Sequence, residues 1–146
     1  MNQLLHTPEG VRDICDAECE AKLAMEDKIT TALRGFGYRC IQTPSFEYFD
    51  IFGKEIGTTS SRDLYKFFDR EGNTLVLRPD VTPSIARACA TYFTDRKSPL
   101  RLYYNENVFI NHSTLRGRLK EHTQIGAELI GDASIDADAE ILSAAC

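Results

Sequence analysis

The sequence predicts an α+β domain in which an antiparallel sheet is flanked by helices. Three observations support this prediction: segments with helical spacing of apolar residues, two short strand-like runs around a turn, and two longer runs suited to strands. Strands joined by hairpins, with the helices set apart from them in the chain, are typical of α+β folds.

The first third of the chain predicts a helix followed by a short strand. An amphipathic stripe at helical spacing is formed by Met25, Ile29, Ala32, Leu33 and Phe36. We therefore expect a helix over about 16–34, which ends at Gly35 because glycine adopts helix-ending conformations. A short strand over 38–42 is halted by Pro44, whereas 46–52 fits a short helix about as well as a strand.

The middle of the chain predicts a β-hairpin and a second helix. Residues 64–68 and 74–77 are rich in strand-forming side chains, and the turn between them spans 69–73. Asp80 is a suitable N-cap for a helix that reaches about Phe93.

The last third predicts two long strands and a final helix. Residues 100–109 read as one strand, and 123–130 as another because apolar and other residues alternate along it. A helix from 135 onward would be capped by Ser134 or Asp132.

The composition excludes several classes of protein. The chain has 146 residues, of which 42 % are hydrophobic, so a folded core is expected rather than disorder. A net charge of −5 argues against nonspecific nucleic-acid binding. No stretch approaches 18 consecutive apolar residues, and the N-terminus lacks the features of a secretory signal. We therefore expect a cytoplasmic protein without a membrane-spanning helix.

The five cysteines are expected to be reduced thiols, because their number is odd and no export signal accompanies them. Cys15 and Cys19 are four residues apart and could share a helix face, which would suit a metal. Two ligands without a nearby third make a weak site, so we predict neither a metal nor a cofactor.

Polar residues on the predicted sheet provide a candidate binding site. Gln124 and Glu128 lie four apart on one strand, so both side chains face the same way. A glutamine amide beside a carboxylate can hold an ammonium group and a ring N–H of a small ligand. Asp80 and Thr82 could add a charge and a hydroxyl. The alternative is that Asp80 only caps its helix and that the strand face is solvated.

A basic loop provides a second candidate site. Arg116 and Arg118 flank Gly117 and could clamp phosphates, although a solvated loop is the alternative. The sequence contains no Walker loop, no G-x-G-x-x-G fingerprint and no identifiable partnered nucleophile. We therefore predict no catalytic residue.

Four motifs, in collinear order, resemble those of histidyl-tRNA synthetases. Residues 43–47 resemble the first, dimer-forming motif, and 101–109 with Gly117-Arg118 and 124–131 resemble the second. Residues 77–82 resemble the segment that binds the amino group of histidine, and 136–140 the acidic start of the following helix. The resemblance implies a class II synthetase catalytic-domain fold and a dimer interface at Pro44. It also implies four histidine-pocket positions, namely Asp80, Thr82, Gln124 and Glu128.

One departure from the synthetase pattern bears on activity. Ile110 stands where synthetases have the motif-two arginine that contacts the ATP α-phosphate and the histidine carboxylate. Isoleucine offers neither charge nor donor, and losing one such donor costs about 2.7–4 kcal/mol of transition-state stabilisation. His112 and Leu115 also replace a family glutamate and glutamine. We therefore expect no working synthetase.

Residues 5–14 and 78–83 resemble the regulatory subunit of ATP phosphoribosyltransferase, a family with the synthetase fold but no aminoacylation. This resemblance implies a short catalytic partner, its activation and histidine feedback, self-association, and no role for tRNA. A divergent histidyl-tRNA synthetase and a plain amino-acid-binding or dimerisation module are the alternatives. Because only the first two motifs are found, 1–146 is expected to be an incomplete catalytic-type domain that exposes a sheet edge and an apolar helix face.

Overall fold

The computed structural model describes residues 5–53, 59–96, 98–113 and 117–145. Within those ranges the α-helices are α1 (Asp16–Gly35), α2 (Asp50–Gly53), α3 (Thr82–Tyr92) and α4 (Ile135–Ala145). The strands are β1 (Arg39–Cys40), β2 (Phe46–Tyr48), β3 (Lys66–Phe68), β4 (Thr74–Leu77), β5 (Leu100–Phe109) and β6 (Glu121–Ile130). None of the helices in these ranges is both long and apolar enough to cross a membrane.

The main sheet has the strand order β1-β5-β6. β5 and β6 pair antiparallel over their whole length, from Leu100 opposite Ile130 to Phe109 opposite Glu121. β1 joins the other edge of β5 in parallel, a pairing that the sequence did not predict. The predicted strand over 38–42 shortens to two residues, because after the Ile41 N–H, which donates to the Tyr103 oxygen of β5 at 2.9 Å, the chain turns to other partners. The Thr43 N–H, for example, donates to a side chain, Glu106 Oε1, at 2.8 Å.

A smaller antiparallel sheet has the order β2-β4-β3 and confirms the predicted hairpin. Its turn is closed by Asp69 Oδ1, which accepts from the backbone N–H of Glu71 at 3.0 Å and of Asn73 at 2.8 Å. Gly72 has φ +87°, a conformation that favours glycine. Segment 46–52, whose sequence fits a short helix about as well as a strand, contains both, because α2 follows β2 after one residue.

The main sheet lies between α3 on one face and α1 with α4 on the other. Alternate β5 side chains serve the two faces, as the two-residue period of a strand requires. Toward α3, a buried cluster contains Val81, Ile85, Leu100, Leu102, Tyr104 and Val108. Toward α1 and α4, a second cluster contains Leu33, Tyr38 and Tyr103, with Ile125, Ala127, Ile141 and Ala144 packed against it.

The bounds of α1 confirm the predicted helix, but most of its apolar stripe is not buried. Leu33 is 5 % exposed, whereas Met25 is 57 %, Phe36 45 % and Ile29 40 % exposed. The stripe meets β5 and β6 through Leu33 while its other large members face solvent. An apolar face of α1 is therefore exposed.

Of the predicted helix N-caps, the one at Ser134 is confirmed and the one at Asp80 is wrong. Ser134 Oγ accepts from the Ala137 N–H at 3.2 Å and caps α4, as predicted. Asp80 does not cap α3, because the N-cap position is Val81 and makes no side-chain capping bond. The Asp80 carboxylate instead accepts from the adjacent Val81 N–H at 2.7 Å and from a side chain on β6.

Candidate functional site

The start of α3 and the middle of β6 bring the four predicted ligand residues together. The Thr82 hydroxyl donates to Glu128 Oε1 at 2.7 Å, and the Gln124 side-chain amide donates to Asp80 Oδ1 at 3.3 Å. The two contacts join residues that are 46 and 44 positions apart in the chain. We call these four residues the polar cradle.

Local folding explains why the cradle forms. Gln124 and Glu128 lie two pleats apart on β6, so their side chains emerge on the same face of the sheet. Val81 and Ile85 are both 0 % exposed and pack on that face, which holds the first turn of α3 against the sheet. Thr82 is therefore presented to β6 by apolar packing rather than by the polar contacts themselves.

The cradle is acidic and contains an unused acceptor. Its two carboxylates, Asp80 and Glu128, share the site with one amide and one hydroxyl. Burial and the nearby Glu128 charge raise the pKa of the Cys89 thiol. The side-chain oxygen of Gln124 is buried and has no hydrogen-bond partner among the described residues, although a buried acceptor left unpaired costs free energy. A cationic hydrogen-bond donor, such as an ammonium group, would satisfy both features.

A cavity of about 500 Å³ adjoins the cradle between α3 and the paired ends of β5 and β6. Thr82 and Glu128 form its polar side, and Cys89, Phe93 and Ile130 contribute to its apolar side. Such a mixture suits a small ligand with a flat ring and a polar end.

A buried ion pair that the sequence did not reveal lies under the same face of the sheet. The Arg78 guanidinium contacts Glu106, and their side chains are only 5 % and 6 % exposed. Arg78 also donates to the backbone oxygens of Asn107 and Thr43, both at 2.8 Å, and of Pro44 at 3.3 Å. Burial lowers the pKa of Arg78, and the charge of Glu106 opposes that shift. In the sequence, Arg78 and Glu106 are only charged residues close to apolar ones. Charged residues in such positions are also found on exposed surfaces, so the sequence does not reveal the buried pair.

The remaining predicted residues that the structure describes belong to segments outside the cradle. Arg118 is exposed in the connection between β5 and β6, and Arg116 lies outside the described residues. Ile110 follows β5 and is half-buried, and its N–H donates to the Lys120 oxygen at 2.8 Å. Pro44 is exposed between β1 and β2.

The thiols and other potential metal ligands in the described part of the chain do not form a metal site. Cys15, Cys19, Cys40 and Cys89 are free cysteines in the described ranges, and Cys146 lies outside them. In the ranges that the structure describes, no group of three or more His, Cys, Asp or Glu side chains could hold a metal ion.

Curated proteins and a family model resemble most of the chain. A family model described as histidyl-tRNA synthetase matches residues 10–146. The ATP phosphoribosyltransferase regulatory subunit of Ruminiclostridium cellulolyticum is 43 % identical over 141 residues, or 97 % of this chain. That of Bacillus pumilus is 40 % identical over 140 residues, or 96 % of this chain. The matches cover 34 % and 36 % of those relatives, so the chain spans about a third of their length.

Solved structures share the fold. The crystal structure of an ATP phosphoribosyltransferase regulatory subunit/histidyl-tRNA synthetase from Bacillus halodurans C matches with a TM-score of 0.88 and 37 % identity. This match covers 97 % of this chain and 36 % of that one. The apo histidyl-tRNA synthetase of S. aureus matches with a TM-score of 0.80 and 26 % identity, over 97 % and 33 % of the two chains. The predicted α+β fold of the class II synthetase type is confirmed by this likeness.

Proposed function

Because the chain belongs to the histidyl-tRNA synthetase family, and because relatives 39–43 % identical to it are named ATP phosphoribosyltransferase regulatory subunit, we propose that role for the complete protein. In this proposal residues 1–146 form the N-terminal part of a catalytic-type domain that contains only the first two motifs. The complete protein would act in the cytoplasm, bind the short catalytic subunit, raise its turnover and make it sensitive to histidine. It would neither activate histidine nor need tRNA.

The observation that favours this role is a polar cradle suited to histidine in a chain whose Ile110 cannot support adenylation. The Asp80 carboxylate and the unpaired Gln124 oxygen suit the ammonium group, and Glu128 suits a ring N–H. Ile110 provides no charge for the phosphate that would be transferred during adenylation. A site that binds the amino acid without activating it is what feedback regulation requires.

Regulation then follows from differential binding. If histidine binds one state of the assembly better than another, the difference is the coupling free energy between the two sites. A coupling of about 1–3 kcal/mol would change affinity by roughly 5–150-fold.

The test uses the complete protein mixed with its short catalytic partner. We expect no histidine-dependent pyrophosphate exchange, a higher phosphoribosyltransferase turnover, and inhibition of the mixture by histidine. The Glu128→Gln variant should lose histidine sensitivity, because it removes a cradle charge. Glu121→Gln is the matched control, since Glu121 lies on the same strand and pairs instead with Asn107 on the opposite face.

Each alternative function has its own signature in this test. Histidine-dependent pyrophosphate exchange would contradict the regulatory role and indicate a divergent histidyl-tRNA synthetase. Histidine binding with no effect on the transferase would indicate a plain binding or dimerisation module.

Self-association through the Pro44 motif is the second part of the proposal. The strand after Pro44 carries Phe46 and Tyr48 at 51 % and 58 % exposure, and Phe67 on β3 lies on the same face. The rings of Phe46 and Phe67 meet edge to face at 5.8 Å. We propose that a second copy of the chain covers this aromatic face, because it is continuous with the segment that resembles a dimer-forming motif.

Sedimentation of the complete protein tests this surface. A Tyr48→Arg variant should sediment as a smaller species than the wild type, because a buried unpaired charge opposes association. Tyr92→Arg is the control, since Tyr92 is exposed at the end of α3, away from this face. Unchanged sedimentation of the Tyr48 variant would contradict the assignment.

A further inference from the structure

Tyr104 lies in the middle of the polar cradle, although the motif that contains it predicted no role for this side chain. Its partner across the β5–β6 ladder is Gly126, which sits between Gln124 and Glu128 on the same face of β6. A Cβ atom at position 126 would come within 2.3 Å of the Tyr104 hydroxyl oxygen and 2.5 Å of Cζ. Only glycine at position 126 therefore leaves room for the phenol to lie across β6.

The surroundings of the Tyr104 hydroxyl suit a hydrogen-bond donor. Tyr104 is 4 % exposed, and its hydroxyl lies near Thr82. Burial raises the pKa of Tyr104, as do three nearby carboxylates, those of Glu128, Asp80 and Glu106, while the Thr82 hydroxyl opposes that shift. The phenol therefore keeps its proton at neutral pH. The Thr82 hydroxyl donates its proton to Glu128, so its remaining hydrogen-bonding capacity is that of an acceptor.

We propose that Tyr104 is a positioning residue of the histidine site and that Gly126, which has no side chain, leaves the space that the Tyr104 ring occupies. Its ring covers the sheet between the two β6 ligands, so the Glu128 carboxylate stands away from the backbone. Its hydroxyl fixes the direction of the Thr82 hydroxyl, which in turn orients Glu128 toward a ring N–H. This role rests on the proposed histidine-binding function of the cradle.

Calorimetric titration of the complete protein with histidine tests the role. Tyr104→Phe, which removes one hydroxyl, should weaken histidine binding by about 3- to 10-fold. Gly126→Ala should weaken it further because the ring must move. Tyr103→Phe is the matched control: Tyr103 is the adjacent residue, 6 % exposed, but it packs on the opposite face with Leu33 and Tyr38.

A second measurement separates positioning from general loosening of the fold. Each protein is also titrated with histidine methylated at either ring nitrogen, and the affinity ratio of histidine to each methylated form is compared. If Tyr104 orients Glu128, this preference should fall in Tyr104→Phe and remain in Tyr103→Phe. Loss of affinity without a change in the ratio would be the mark of a structural effect and would overturn the inference.

The outcomes also separate this inference from the function on which it rests. A wild-type protein that binds no histidine would overturn both. A wild-type protein that binds histidine, with Tyr104→Phe and Gly126→Ala binding equally well, would overturn the role of Tyr104 alone.

Discussion

Replacing Arg78 by methionine tests the buried contact that fastens the segment before β2 to the main sheet. The Arg78 side chain is 5 % exposed and bonds to Glu106 and to the backbone oxygens of Thr43, Pro44 and Asn107. Methionine would fill much of the space of the aliphatic stem but offers no donor. Three carbonyl groups and one carboxylate would lose their shared partner.

The magnitude follows from that list of contacts. Breaking a buried ion pair by removing one partner costs about 3–5 kcal/mol, because the other charge stays buried. Glu106 would still accept from the Thr43 N–H at 2.8 Å and from its hydroxyl at 2.9 Å, which favours the lower end of this range. At about 2–4 °C per kcal/mol for a unit of this size, the melting temperature should fall by roughly 6–20 °C.

Scanning calorimetry of the complete protein measures this change, with Arg12→Met as the control. The Arg12–Glu18 pair is on the surface, with side chains 48 % and 56 % exposed, so its removal should leave the melting temperature almost unchanged. If Arg78→Met melted like Arg12→Met, the buried pair would not hold this segment and the reasoning would be refuted.

Three further predictions concern stability and are each measured by thermal unfolding. Gly35→Ala should stabilise the protein by about 0.5–1 kcal/mol at the end of a helix, whereas Gly72→Ala, at φ +87°, should destabilise it by roughly 1–2 kcal/mol; equal effects would contradict the backbone argument. Ser134→Ala should cost about 1 kcal/mol by removing the α4 cap, and no loss would show the cap to be dispensable. Because the Arg101 hydrogen bonds lower the pKa of Glu140, their stabilisation is present above the ordinary carboxyl pKa and is lost as pH falls through the lowered value. Arg101→Gln should therefore melt below the wild type at neutral pH, and the gap should narrow below about pH 4.5; a constant gap would contradict this.

The sequence predicted the two long strands well because they depend on local periodicity. β5 has the predicted bounds, and the two-residue period placed Gln124 and Glu128 on one face. The start of α3 was predicted one residue early, since the Asp80 side chain turns toward β6 rather than capping the helix.

Other features depend on contacts that periodicity does not contain. The Arg78–Glu106 pair joins residues 28 positions apart, and nothing local distinguishes a buried charge from a solvated one. From the sequence, Tyr103 and Tyr104 are both expected to be aromatic residues of the core. Their roles differ because the strand register places Tyr104 opposite Gly126. The apolar stripe of α1 predicted a helix correctly, but a stripe does not specify what covers it.

The parallel pairing of β1 with β5 has a consequence for synthesis on the ribosome. Arg39 pairs with Leu102, which is translated 63 residues later. At about 5–20 residues per second, β1 and the helix before it wait roughly 3–13 seconds for the strand that completes their packing. During that interval Leu33 and Tyr38, which are buried with Tyr103 in the folded chain, lack this partner, so the nascent N-terminal third exposes apolar surface that β5 later covers.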